Sequence, residues 1–269
     1  MPPPKRSFES NENILSERLS IKFTSFYILP RLRVRHSYAT MREAGNQKGT
    51  VSFMKKAVIF DLDGTLINSL PDIAHSMNRA LEKCGLPVFS VEEYRYKVGN
   101  GVFNLAKRAV GDRLDKLDEV LRFYMDDYAA NCTLDSTLYD GIKDLFAGLS
   151  LRHMKVCVFS NKDQGDVESV LSHYFSDYPF AKIRGRVQNV PLKPDPAGAL
   201  LIAGELGLSP DECWYVGDTR MDMCCGNAAG METVGVTWGF RPRTELVENK
   251  ACHIIDHPLE LLALIDGQK

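Results

Sequence analysis

Short apolar runs and helical stripes alternate along most of this chain. The runs lie at residues 57–60, 155–159, 213–216, 233–236 and 253–255, are rich in Val, Ile or aromatics, and give way to Asp, Ser, Gly or Thr. Runs without polar alternation suit strands covered on both faces, the habit of parallel sheets. Helical patterns at residues 164–173, 196–206 and 221–229 separate most of them. This alternation predicts an α/β fold, a doubly wound (Rossmann-like) parallel sheet with its functional groups at the carboxyl ends of the strands.

The interval between the first two runs breaks the rhythm. Residues 71–84 carry a helical stripe at Ile73, Met77, Ala80 and Leu81, and residues 101–110, 118–131 and 141–151 also read as helices. An all-helical domain over residues 69–140 is therefore expected, inserted into a core made of residues 54–68 and 141–269. Its hinges are expected near residues 67–70 and 139–141.

Residues 1–53 do not match the rest. They hold nine Lys/Arg and four Asp/Glu; of the chain's 33 basic and 35 acidic residues, 24 and 31 are left for the remainder. The segment has no sustained period and opens on Pro2-Pro3-Pro4, whereas Met54-Lys55-Lys56 leads straight into an apolar run. Arg31, Arg33, Arg35 and Arg42 resemble a transit peptide, but Glu9, Glu12, Glu17 and Glu43 do not. The preferred reading is a non-native or disordered extension, with Met54 the natural start.

Charge and cysteine usage narrow the classes. A net charge of -2 lacks the basic footprint of a nucleic-acid binder. No stretch approaches the roughly 18 apolar residues of a membrane span. The seven cysteines form no Cys-x-x-Cys pair, which fits a reducing compartment and a soluble, cytoplasmic protein. The adjacent Cys224 and Cys225 read as two helix residues after an acidic loop.

Four short stretches carry candidate chemistry. Asp61-Leu62-Asp63-Gly64-Thr65 follows the first run, and crowding two carboxylates there is unfavourable without a cation or a shared proton. Gly64 permits the sharp turn that lets backbone N–H groups approach an anion. Ser160-Asn161-Lys162 follows the second run, where a hydroxyl and fresh N–H groups ahead of a helix can seat a phosphate or simply cap the helix. Lys193 stands between Leu192 and Pro194, with Pro196 close by, and Gly217-Asp218-Thr219-Arg220-Met221-Asp222 follows the third run. Each stretch alone has an ordinary explanation as a solvated turn, cap or loop. Together they fall on one edge of the predicted sheet, where four carboxylates, a hydroxyl and a lysine suit a cation–phosphate site.

In order and spacing, Asp61-x-Asp63-Gly64-Thr65, Ser160, Lys193 and Gly217-Asp218-x-x-x-Asp222 resemble the four-motif signature of the haloacid dehalogenase-like phosphohydrolases. The likeness covers about residues 55–265, and the helical insertion resembles that family's cap. Residues 67–73, 98–102 and 226–231 look like the phosphoglycolate phosphatase subgroup.

The resemblance implies Asp61 as nucleophile, forming an aspartyl-phosphate, and Asp63 as general acid and then base. It implies Lys193 as charge compensation, with Ser160, Asn161, Gly64 and Thr65 around the phosphoryl group. Mg²⁺ is the implied cofactor, held by Asp61, the main-chain carbonyl of Asp63 and Asp218, with Asp222 a ligand or a partner behind one. Gly99, Asn100 and Gly101 form a turn expected to reach a small phosphorylated metabolite, and Arg95 or Lys97 is a candidate for a second anionic group. The substrate implied is 2-phosphoglycolate. A nucleotidase, a pyrophosphatase, a sugar phosphatase, a β-phosphoglucomutase-like phosphotransferase and a catalytically silent binding protein stay open, as does monomer against homodimer.

Overall fold

The computed structural model describes residues 54–267, so the reading of residues 1–53 lies outside the described residues. Strand β1 (Ala57–Phe60) leads through the two-residue β2 (Ile67–Asn68) into helices α1 (Leu70–Lys83), α2 (Val102–Val110) and α3 (Leu117–Asn131). The chain returns through β3 (Thr137–Leu138) and α4 (Ile142–Leu151). It then alternates: β4 (Lys155–Asp163), α5 (Gln164–Tyr174), β5 (Lys182–Arg186), α6 (Ala197–Glu205), β6 (Cys213–Gly217), α7 (Arg220–Ala229) and β7 (Glu232–Val236). Helix α8 (Arg243–Glu248), β8 (His253–Ile255) and α9 (Glu260–Asp266) complete it.

Six strands form one parallel sheet in the order β5-β4-β1-β6-β7-β8. The chain builds outward from β1 to β5, then resumes on the other side at β6. The sheet is doubly wound, and its order reverses beside β1, where such folds open a crevice at the strand carboxyl ends. Alternate residues of each strand serve opposite faces. Val58, Phe60, Val156, Val158, Trp214 and Val216 join one core with residues of α4, α5 and α9. Ala57, Ile59, Cys157, Phe159, Cys213 and Tyr215 join a second core with residues of α6 and α7. Both faces are covered, which is why the strands read as unbroken apolar runs.

The insertion is helical, with one departure from the sequence expectation at its base. The hinge segments pair antiparallel as β2 and β3, Ile67 opposite Leu138 and Asn68 opposite Thr137. Two residues are too few to leave a period in the sequence. Buried Asp72, in the first turn of α1, accepts from the backbone N–H groups of Asp135 (2.8 Å) and Ser136 (2.9 Å) and from the Ser136 hydroxyl, tying the outgoing chain to the returning one.

Strand β5 also lacks an apolar signal. It is an edge strand whose sequence, KIRGR, carries charge where the sheet ends. Lys182 and Arg184 there pair with Glu205 of α6. Among the described residues no helix is long and apolar enough to cross a membrane.

Candidate active site

Asp61 is the first residue beyond β1, and its N–H still donates to the Val216 carbonyl of β6 at 2.9 Å. The sheet therefore fixes its backbone. Its carboxylate is turned by two donors to Oδ1, the Leu62 N–H at 2.7 Å and the Lys193 ammonium at 2.7 Å. The chain then doubles back: the Gly64 N–H donates to the Ile67 carbonyl at 2.8 Å, with Gly64 at φ +88°. A Cβ on Gly64 would overlap the carboxylate of Asp218.

Asp218 and Asp222 are fully buried. Asp218 accepts from the Phe240 N–H (2.7 Å) and the Thr65 hydroxyl (3.2 Å). Thr65 thus commits its hydroxyl to Asp218. Asp222 caps α7: its Oδ2 accepts from the N–H and hydroxyl of Thr219, while its Oδ1 accepts from Lys193 at 2.7 Å. Lys193 sits between Asp61 and Asp222. It is held there because its N–H donates to Asn161 Oδ1 (2.8 Å) and its carbonyl accepts from Asn161 Nδ2 (3.1 Å).

The Asp63 carboxylate lies on the other side of the turn. It accepts from the Ser69 hydroxyl at 2.6 Å and from the Lys162 ammonium at 2.8 and 3.1 Å. Burial works against the Lys162 charge, yet Asp63, Tyr124 and Asp166 together outweigh it, so the ammonium is held above its ordinary range. Ser160, also buried, accepts the Lys162 N–H at its Oγ (3.2 Å), which leaves its proton to donate.

These groups share one pocket with the insertion. Asp61, Asp63, Ser160, Asn161, Lys162 and Lys193 form its charged side, and Ile73, Val98, Val102, Leu105, Tyr124 and Tyr128 its cap side. Gly99 and Gly101 also line it, and the Gly99 carbonyl accepts from Asn161 Nδ2 at 3.1 Å. Asn100 faces away, its amide meeting Met221 Sδ and its oxygen Arg108. Arg95 pairs with Glu92 and the Gly239 carbonyl, and Lys97 lies over the Phe89 ring, so neither is turned to the pocket. Asp218 and Asp222 lie beneath the floor rather than in the lining.

One oxygen each from Asp61, Asp218 and Asp222 can be chosen so that all three lie within 4.8 Å of one another. Burial pushes the Asp61 carboxyl up to about 7 in spite of the Lys193 ammonium beside it. Burial, and then the nearness of Asp222 and Asp61, pushes Asp218 well above the usual carboxylate range. Three buried carboxylates against one lysine, with oxygen donors throughout, fit a hard divalent cation.

The four stretches meet at one edge of the sheet as their order in the sequence predicts, but two relationships at the site leave no sequence pattern. In the sequence Lys162 is only the tail of its motif, and its ion pair with Asp63, 99 residues away, has no local signature. The aromatic pair Tyr124 and Tyr128 read as ordinary helix positions. Cys225 is buried, donating toward the Asp195 carbonyl, and burial pushes its thiol up to about 12; Cys224 meets Asn249. Both are free thiols.

An aspartate at the end of β1, a lysine locked behind it and a carboxylate triad under a helical cap fit a phosphatase of the Rossmann-like kind. The family model for haloacid dehalogenase-like hydrolases matches residues 58–236. The chain is 32% identical to the phosphoglycolate phosphatase of Pseudomonas putida over 221 residues, 80% of each protein. It is 32% identical to that of Haemophilus influenzae, covering 78% of this chain and 98% of that one. The crystal structure of a predicted phosphoglycolate phosphatase from Haemophilus somnus 129pt superposes with a TM-score of 0.75 at 30% identity, covering 79% of this chain and 98% of the other. The chain belongs to the haloacid dehalogenase-like hydrolases.

Proposed function

We propose that this phosphatase hydrolyses 2-phosphoglycolate to glycolate and phosphate with Mg²⁺, through a phosphoryl group carried on Asp61. The carrying observation is the asymmetry of that carboxylate: Oδ1 takes both Lys193 and the Leu62 N–H, which leaves Oδ2 to the pocket. The names of the relatives support the choice of substrate.

Oδ2 of Asp61 bonds to phosphorus as the ester P–O bond breaks, and Asp63, acting in its protonated form once Lys162 has left it, gives that proton to the departing oxygen. Water then attacks phosphorus, Asp63 takes its proton, and the bond from Asp61 to phosphorus breaks to release phosphate. Ser160 Oγ and the Asn161 N–H hold phosphoryl oxygens, and Lys193 offsets charge between them and Asp61. Asp61, the Asp63 carbonyl and Asp218 are the groups that would hold Mg²⁺, which when bound adds positive charge opposite the phosphoryl oxygens. Asp222 has one oxygen on the Lys193 ammonium, whose charge would repel a cation there, and the other on Thr219, so it acts through Lys193. Residues 69–140 act as the cap that excludes water from the reacting phosphorus.

A panel of phosphorylated metabolites compared by kcat/KM tests the substrate. The reading expects 2-phosphoglycolate to rank first and to need Mg²⁺; a nucleotide or a sugar phosphate in first place would displace it.

A further inference from the structure

The pocket lining carries two cations, and they do different work. Lys193 is locked behind Asp61 by Asp222, on the side where phosphorus is held. Lys162 is paired instead with Asp63, where the leaving oxygen must sit. Its side chain is 7% exposed, so it is a built cation rather than a surface one.

Helix α3 of the cap meets this lysine with two phenols one turn apart. The Lys162 ammonium lies 4.7 Å from the centre of the Tyr128 ring, and Tyr124 stacks on Tyr128 at 5.3 Å. Both tyrosines line the pocket. The Tyr128 hydroxyl is buried and has no hydrogen-bond partner among the described residues. A buried phenol left without an acceptor is costly, so a substrate oxygen that reached it would gain a donor that no other described residue is using.

We infer that Lys162, with the hydroxyls of Tyr124 and Tyr128, seats a second acidic group on the leaving side of the substrate and so selects short phosphorylated carboxylic acids. The inference rests on the phosphatase reading above. As Asp63 turns to the leaving oxygen, the Lys162 ammonium passes from Asp63 to the incoming carboxylate. Asp163 and Asp166 also line the pocket, Asp163 paired with Arg186. Asp166 lies within reach of the Lys162 charge, so the ammonium must leave Asp63 before it holds a second anion.

The geometry also limits length. Lys162 and the leaving oxygen share the same carboxylate, Asp63, as neighbour, so the second acid and the ester oxygen are separated by little more than the reach of that one group. A two- or three-carbon acid spans it. A nucleotide or a hexose phosphate carries its bulk past Ile73, Val102 and Leu105, which offer no polar partner.

The test compares 2-phosphoglycolate with 2-hydroxyethyl phosphate, which is equally long and lacks the carboxylate. The readout is the ratio of their kcat/KM values in the full-chain enzyme with Mg²⁺. Lys162→Met should lower the ratio by roughly 10- to 100-fold, chiefly through KM for the acid. Lys162→Arg should restore part of it. Tyr128→Phe, which removes one oxygen and keeps the packing, should lower it about threefold or more. If Lys162→Met slows both substrates by the same factor, Lys162 serves Asp63 alone and the inference falls. Should that variant not fold, an unchanged ratio in Tyr128→Phe overturns it equally. Failure of the phosphatase reading looks different: wild-type enzyme would then release no phosphate from either compound, and both proposals would go.

Discussion

Gly64 and Asp218 occupy adjoining space across the turn after β1, and the carboxylate of Asp218 stands where a Cβ of residue 64 would be. Gly64 also lies at φ +88°, a conformation that costs an ordinary residue about 1–2 kcal/mol. Gly64→Ala should therefore displace Asp218 as well as strain the turn. We expect phosphatase activity to fall at least about 100-fold and the melting temperature by roughly 3–8 °C. An alanine variant with normal turnover would mean that Asp218 is not needed where it stands.

Asp222 and Asp218 both belong to the buried carboxylate cluster, yet their bonding differs. Asp222 is spent on Lys193 and Thr219, whereas Asp218 is oriented by a backbone N–H and a hydroxyl. Asp222→Asn should lower kcat about 10- to 100-fold with little change in the Mg²⁺ concentration for half activity. Asp218→Asn should raise that concentration at least about tenfold. Equal shifts in the two variants would make Asp222 a direct ligand.

Removal of divalent cations should abolish phosphate release, and Mg²⁺ should restore it. A readout apart from activity comes from unfolding, because a cation bound only by the folded chain stabilises it, by about 2.7 kcal/mol at a hundred times its dissociation constant. Thermal melts should rise with added Mg²⁺ in the wild type and stay flat in Asp218→Asn. A melt indifferent to Mg²⁺ in both would argue against a cation among these carboxylates.

Stability at acid pH has a cap component. Asp127 of α3 is bonded to Arg79 of α1, and that hydrogen bonding holds its carboxyl at about 2, below the ordinary 3.8. A carboxyl lowered on folding contributes stability that is present above the unfolded value and is lost as pH falls through the folded one. Arg79→Leu should cost about 1 kcal/mol near neutral pH, and its deficit against wild type should begin to shrink below about pH 4. Urea unfolding at several pH values reads this directly; a deficit that grew on acidification would reverse the sign and refute the assignment.

Much of this architecture is legible in the chain because local patterns and global roles coincide. The runs that became β1, β4, β6 and β7 are apolar on both faces, and Asp61 and Asp218 stand just past their strands, whereas β4 runs on to Asp163 and takes Ser160, Asn161 and Lys162 into the strand. Where charge replaces apolar residues, as in the edge strand β5, or where pairing is only two residues long, as in β2 and β3, no period exists to read. The site divides in the same way. Asp61, Asp63, Ser160, Lys193 and Asp218 stand out by motif. The partnership of Lys162 with Asp63 and Tyr128 is tertiary, created when β4 and a cap helix meet the turn after β1. The cap also turned differently from expectation: Gly99 and Gly101 face the pocket through backbone, while Asn100, Arg95 and Lys97 find partners elsewhere.

In the proposed reaction one oxygen of Asp61 carries the phosphoryl group. From an aryl phosphate the aryloxide departs without needing a proton, so in Asp63→Asn the first step should proceed while attack by water stalls. Acid-quenched Asp63→Asn enzyme, mixed with aryl phosphate and Mg²⁺, should show one phosphoryl group by mass spectrometry on the peptide containing Asp61, and Asp61→Asn should show none. A phosphoryl group on another residue, or steady phosphate release by well-folded Asp61→Asn, would contradict the account.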